Sequence, residues 1–90
     1  MVNIEIETAN LFRKLARKGN WDNCYDRLEH FKRFSNLKEI IKIYNNKKWL
    51  IIKKKPNYTG ISLNTQFKKG IIDFVEKNDP SLSGYIHSFL

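Results

Sequence analysis

NLKEIIKIYNNKKWLIIKKKPNYTGISL, residues 36–63, changes from a helical to a strand pattern of apolar residues along its length. Apolar residues recur at helical spacing over 37–44, and 49–52 is an unbroken run of strand formers. Residues 53–60 hold three lysines and the turn formers Pro, Asn and Gly, and 61–63 again favours a strand. The segment therefore predicts a helix followed by a β-hairpin with a basic tip.

Two helices are predicted on the N-terminal side of this segment. The first covers residues 8–19 and ends at a glycine. Residues 2–7 alternate with the period of a half-buried strand, although a helix could begin before Thr8 and include part of them. The second starts after a capping residue, Asp22 or Asn23. Its predicted inward side consists of Tyr25, Leu28 and Phe31.

Capping residues and the spacing of apolar residues predict three more helices. Asn36, with Glu39 three residues later, resembles a capping box and starts the third helix. A fourth helix is predicted over residues 64–78, and a short amphipathic one over 80–90. The expected fold is a mainly helical α+β domain, residues 1–90, with its core in residues 8–78.

The formal net charge of +8 lies within residues 36–69, where nine lysines oppose the single acid Glu39. The rest of the chain has eight basic and eight acidic residues and is neutral in sum. Such local excess on a folded domain creates a one-sided positive field that attracts a polyanion. Nucleic acid is therefore the expected partner.

Several other function classes lack the residues that they need. One cysteine and two histidines provide no disulfide and no zinc ligand set, so no metal or cofactor is expected, and Cys24 is predicted to pack as a small apolar residue. No nucleophile, base and acid occur in a recognisable catalytic context, so we expect no enzyme. Without a membrane-length apolar run or a signal peptide, the protein is expected to be cytoplasmic with no membrane partner.

The order of three helices, a hairpin and a closing helix resembles the winged helix-turn-helix family, and more closely its small archaeal or archaeal-virus transcriptional regulators. The likeness lies in residues 36–46, 49–52, 53–60 and 61–64, and it covers roughly residues 8–78. It implies that a recognition helix at about 36–46 enters the major groove. It also implies that a wing at 53–60 reaches the phosphates or the adjacent minor groove.

Residue chemistry supports the same interpretation independently. A helix enters the major groove with a polar, unobstructed face; asparagine reads adenine edges, and lysine ammonium groups contact phosphates. The predicted DNA-binding residues are Asn36, Lys38, Lys42, Asn45, Asn46, Lys47, Lys53, Lys54, Lys55, Asn57 and Tyr58. The alternatives are a merely solvated lysine face and a Tyr58 that packs on the hairpin, while Trp21 and Trp49 are predicted to lie in the core or at its edge.

The predicted tail helix over residues 80–90 has an apolar face that needs a partner. The apolar face formed by Leu82, Tyr85, Ile86 and Phe89 is predicted to pair with its copy in a homodimer, with folding back onto its own domain as the alternative. The predicted function is a double-stranded-DNA-binding transcriptional regulator that occupies a promoter. A DNA-binding protein of replication or segregation without sequence preference, and a winged-helix protein-interaction module, remain open as alternatives.

Overall fold

The computed structural model describes residues 4–78, and both the predicted tail helix and its dimer contact lie outside them. Three α-helices, three strands and two short 3₁₀ helices are present in this part of the chain. In chain order they are α1 (Ile4–Arg17), β1 (Asp26–Arg27), a 3₁₀ helix (Leu28–Phe31), α2 (Leu37–Asn46), β2 (Leu50–Lys54), β3 (Thr59–Leu63), a 3₁₀ helix (Thr65–Phe67) and α3 (Lys68–Asn78). The prediction of a mainly helical α+β domain is confirmed.

The core joins α1, α2 and α3 to one face of the sheet. Phe12 of α1 is fully buried, and its ring meets the ring of Tyr44 from α2 edge-on at a centroid distance of 5.1 Å. The same ring lies 5.7 Å from the ring of Phe74 in α3. Trp21 and Trp49 pack against this core at its edge, as predicted. The apolar stripe of α2 is therefore used for packing, which leaves the opposite face of that helix outside.

The second predicted helix is wrong. Residues 22–25 form turns and irregular chain, and β1 and the 3₁₀ helix Leu28–Phe31 follow. β1 pairs antiparallel with β3 in a sheet of order β1-β3-β2, so its backbone groups bond across the molecule. Asp26 also accepts a hydrogen bond from the Arg27 N–H at 2.8 Å, a local bond that competes with helix formation. Phe31 nevertheless points inward, as predicted, and is fully buried.

Three local predictions at the N-terminal side also need correction. Residues 4–7 are helical, so the alternative of a strand there is wrong. The side chain of Asn36 makes no capping hydrogen bond at the start of α2. The backbone N–H of Asn36 donates to Glu7 Oε1 at 2.6 Å. Glu7 is only 5 % exposed. Cys24 is exposed rather than packed, because the turn that holds it does not bring it into the core.

β2 and β3 form an antiparallel hairpin whose register runs from Leu50 opposite Leu63 to Lys54 opposite Thr59. The Lys55 N–H donates to the Tyr58 carbonyl at 2.8 Å, which closes a turn with Pro56 and Asn57 at its centre. Both strands continue closer to the turn than the sequence pattern indicated. The three lysines at positions 53–55 therefore lie at the end of a rigid element instead of in a long loop.

Gly60 in β3 provides a test of the sheet packing. A Cβ at this position would lie 2.9 Å from the Cβ of Tyr25, which is closer than two such atoms approach. We expect Gly60→Ala to lower the free energy of unfolding by about 1–3 kcal/mol, because the backbone must shift to relieve the overlap. Urea denaturation measures this, with Asn23→Ala, an exposed position on the same turn, as the control; equal stability of the two variants would contradict the contact.

Candidate nucleic-acid interface

The outward face of α2 is open to solvent. Since its apolar residues at positions 37, 40, 41 and 44 turn toward the core, the remaining residues project away from it. The predicted contact residues Lys38, Lys42, Asn45, Asn46 and Lys47 are all exposed. Glu39 and Ile43 complete this face, and neither was in the predicted set. No part of the described chain covers this face of α2.

The beginning of α2 and the hairpin tip border the same cleft. Lys38 of α2 and Tyr58 of the tip both line a cavity of about 310 Å³. Lys32, in the turn before α2, lines this cavity as well as a neighbouring one of about 490 Å³. Lys32 was not among the predicted contact residues, because it precedes the segment 36–63 whose pattern indicated the interface. The cleft brings together two lysines, Lys32 and Lys38, with Tyr58 of the hairpin tip, and Glu29 lines it as well.

The other end of α2 is fixed at the base of the hairpin. The Asn64 side-chain NH₂ donates to the Lys48 carbonyl at 2.9 Å, and the Asn64 N–H donates to the Trp49 carbonyl at 3.0 Å. Asn45 lines a further cavity with Ile51 and Asn64, so its side chain lies beside β2. Helix α2 therefore begins near the tip of the hairpin and ends near its base, and β2 runs back toward the tip. The helix and the hairpin lie side by side.

Tyr58 has a defined place at the hairpin tip. The Arg27 guanidinium lies over its ring at 4.7 Å from the centroid, and the ring is half-buried. Because Arg27 belongs to β1, the first strand braces the tip through this contact. Lys53, Lys54, Lys55 and Asn57 around it are exposed. Tyr58 thus packs against Arg27 and also borders the cleft.

Asn36 plays a different part from the other predicted contact residues. It is half-buried, and its N–H donates to the Glu7 carboxylate, while the Ser35 hydroxyl donates to the other oxygen of that carboxylate at 3.1 Å. A carboxylate at this end of a helix also interacts favourably with the helix dipole. The described contacts therefore connect Asn36 with the positioning of α2.

The lysines of residues 36–69 do not form one continuous patch. Lys68 begins α3, after the base of the hairpin, and its ammonium group lies 6.0 Å from the centre of the Trp21 ring. The lysines at positions 53–55 lie at the opposite end of the hairpin, separated by a strand of about 17 Å. Lys32 and Lys38 consequently supply the positive charge of the cleft, whereas Lys53 and Lys55 line a separate cavity that also includes Tyr58.

Acidic residues neutralise part of the remaining basic surface. Asp26 bonds both the Lys18 ammonium group and His30 Nδ1 at 2.8 Å. Partial burial acts to raise the pKa of Asp26, but the hydrogen bonds from Lys18, His30 and the Arg27 N–H outweigh it and lower the pKa. Asp22 accepts from the Thr65 hydroxyl and N–H, which lower its pKa. These acids tie loops together away from the face of α2.

Metal binding and membrane insertion were also considered for the described part of the chain. Residues 4–78 contain no group of three potential metal ligands, and none of their helices is long and apolar enough to span a bilayer. Comparisons with protein-family models, curated proteins and solved structures found no match. The geometry and charge of the surface are therefore the basis for a functional assignment.

Proposed function

We propose that this chain is a winged helix-turn-helix protein that binds double-stranded DNA and regulates transcription by occupying a promoter. In this proposal α2 is the recognition helix and the β2–β3 hairpin is the wing. The observation that carries it is the cleft that Lys38 of α2 and Tyr58 of the hairpin tip both line, together with Lys32. A helix and a basic hairpin that border one cleft can hold a groove and its flanking phosphates together.

Size and charge fit this role. α2 has ten residues and is about 15 Å long, so its exposed face spans several base pairs of a major groove about 12 Å wide. The lysines at the hairpin tip and on α2 supply the sequence-independent attraction to phosphates. Asn46 lies one helical turn from Lys42 on the exposed face and is the candidate reader of a base edge.

The test of this function is selection of bound sequences from a random duplex pool at about 100 mM salt, followed by titration of the selected duplex and of a scrambled one. A regulator should bind the selected duplex at least about 1,000-fold more tightly than the scrambled duplex. Equal affinity for both, with a steep salt slope, would instead favour a replication or segregation role. No binding to any duplex would reject DNA binding and favour a protein-interaction module.

Asn46→Ala tests the assignment of base reading to α2. We expect the variant to select a relaxed sequence and to lose about 1–3 kcal/mol of discrimination at one base pair, because an asparagine amide makes two hydrogen bonds to adenine. Asn45→Ala should have the smaller effect, since Asn45 lies beside β2. Asn10→Ala on α1 is the matched control. An Asn46→Ala variant that selects the same sequence as the unchanged protein would place base reading elsewhere.

A further inference from the structure

Ile43 is an apolar side chain on the polar face of α2. It is 36 % exposed, and among residues 4–78 the only other exposed large apolar side chain is Ile6 of α1, at 47 %. The exposed residues three or four positions from Ile43, which are its neighbours on the helix surface, are Glu39, Asn46 and Lys47. On α2 itself, one exposed isoleucine with polar and charged neighbours is smaller than the contiguous apolar patch that a protein partner requires.

From this placement we propose that Ile43 contacts the 5-methyl group of a thymine in the major groove, and so selects sites that contain A·T pairs. The inference rests on the proposed function, because it takes α2 as the helix in the groove. It extends that function by naming the base chemistry that the exposed face prefers. The group that Ile43 contacts in this proposal is the methyl group of one thymine in duplex DNA.

The chemistry of the groove matches the residues on this face. A thymine presents an apolar methyl group in the major groove, and the adenine paired with it presents a donor and an acceptor side by side. Ile43 and Asn46 are three residues apart on the helix, so their Cβ atoms are about 5–6 Å apart. Base pairs stack at about 3.4 Å, so the two side chains can reach the same or neighbouring pairs. The amide would bond to adenine while the isoleucine covers the methyl group.

Charge supports the same assignment. Lys42 and Lys47 flank Ile43 along the chain and attract the phosphates on the two sides of a groove. Glu39, one turn before Ile43, repels phosphates but can accept a hydrogen bond from a base amino group. An apolar group next to an acid is therefore better suited to the floor of the groove than to the backbone.

The experiment removes only the methyl group. Two duplexes of about 20 base pairs of alternating A and T are compared, one with thymine and one with 2′-deoxyuridine throughout. We expect the unchanged protein to bind the thymine duplex about fourfold more tightly per contacted methyl group. In Ile43→Ala this ratio should fall to about one, whereas Ile6→Ala, the matched change at the other exposed isoleucine, should keep it.

The outcomes separate this inference from the proposed function. Equal affinity of the unchanged protein for both duplexes, with binding intact, would overturn the contact while leaving DNA binding in place. A ratio that persists in Ile43→Ala would also overturn it, because another residue would then cover the methyl group. Absence of binding to both duplexes by a protein that binds the selected duplex would overturn the preference for A·T pairs, whereas absence of binding to any duplex would reject the proposed function itself. Since Ile43 is exposed, its alanine variant should have the circular dichroism spectrum of the unchanged protein, which confirms that the comparison is between folded proteins.

Discussion

Replacement of Lys53, Lys54 and Lys55 by alanine is expected to weaken binding to every duplex on the order of 100- to 1,000-fold at about 0.1 M salt. Each lysine at a phosphate releases roughly 0.9 of a counterion, so three lost contacts should also reduce the slope of log affinity against log salt by about 2.7. The ratio of selected to scrambled duplex should change little, because an ammonium group on a phosphate carries little sequence information. Fluorescence anisotropy titrations at several salt concentrations measure all three quantities.

A matched variant separates local contact from net charge. The control variant replaces three lysines of α3 by alanine: Lys68, Lys69 and Lys77. It removes the same number of positive charges, but from positions beyond the base of the hairpin. If the tip contacts DNA, this control should lose much less affinity than the tip variant. Equal losses in the two variants would mean that overall charge, rather than the hairpin, attracts the DNA. Unchanged affinity in the tip variant would remove the hairpin from the proposed interface.

The sequence predicted those elements whose signals are local. The stripe of α2 repeats within a single helix, and the hairpin has strand formers on both sides of a turn, so both patterns can be interpreted without knowledge of the rest of the fold. β1 has only two residues, which is too short for any alternation to appear. It is a strand because Arg27 pairs with Gly60, far along the chain. Tertiary pairing therefore overrode the weak helical spacing of residues 22–31.

The exposure of individual residues on α2 could be predicted, but the shape of the candidate site could not. Exposure of the lysines and asparagines of α2 follows from helical periodicity. The cleft between Lys38 and Tyr58, by contrast, depends on how the hairpin folds back on the helix. Ile43 was missed because the polar residues of α2 alone were considered as DNA contacts. Its position between the two lysines and one turn from Asn46 was the available signal, since it falls outside the buried stripe.

The role of Glu7 could not be predicted from nearby residues, because its partners Ser35 and Asn36 are 28 and 29 positions later in the chain. Its replacement should have a large effect on stability. Glu7→Ala should lower the free energy of unfolding by about 2–3 kcal/mol, because it leaves the Asn36 N–H and the Ser35 hydroxyl without their charged acceptor. Both donors lie at the start of α2, so the variant should also loosen the helix that the proposal assigns to the groove. Urea denaturation and titration of the selected duplex measure the two consequences.

Two further variants decide whether the carboxylate acts through these hydrogen bonds. Glu7→Gln keeps an acceptor but removes the charge, so its loss of stability should lie between those of the unchanged protein and Glu7→Ala. Asp73→Ala removes the same charge from an exposed position of α3, and should stay within about 0.5 kcal/mol of the unchanged protein. If Glu7→Ala were as stable as Asp73→Ala, the link from α1 to the start of α2 would not be what holds that helix. If Glu7→Ala lost stability but bound the selected duplex with full affinity, α2 would be stabilised by Glu7 without being oriented by it.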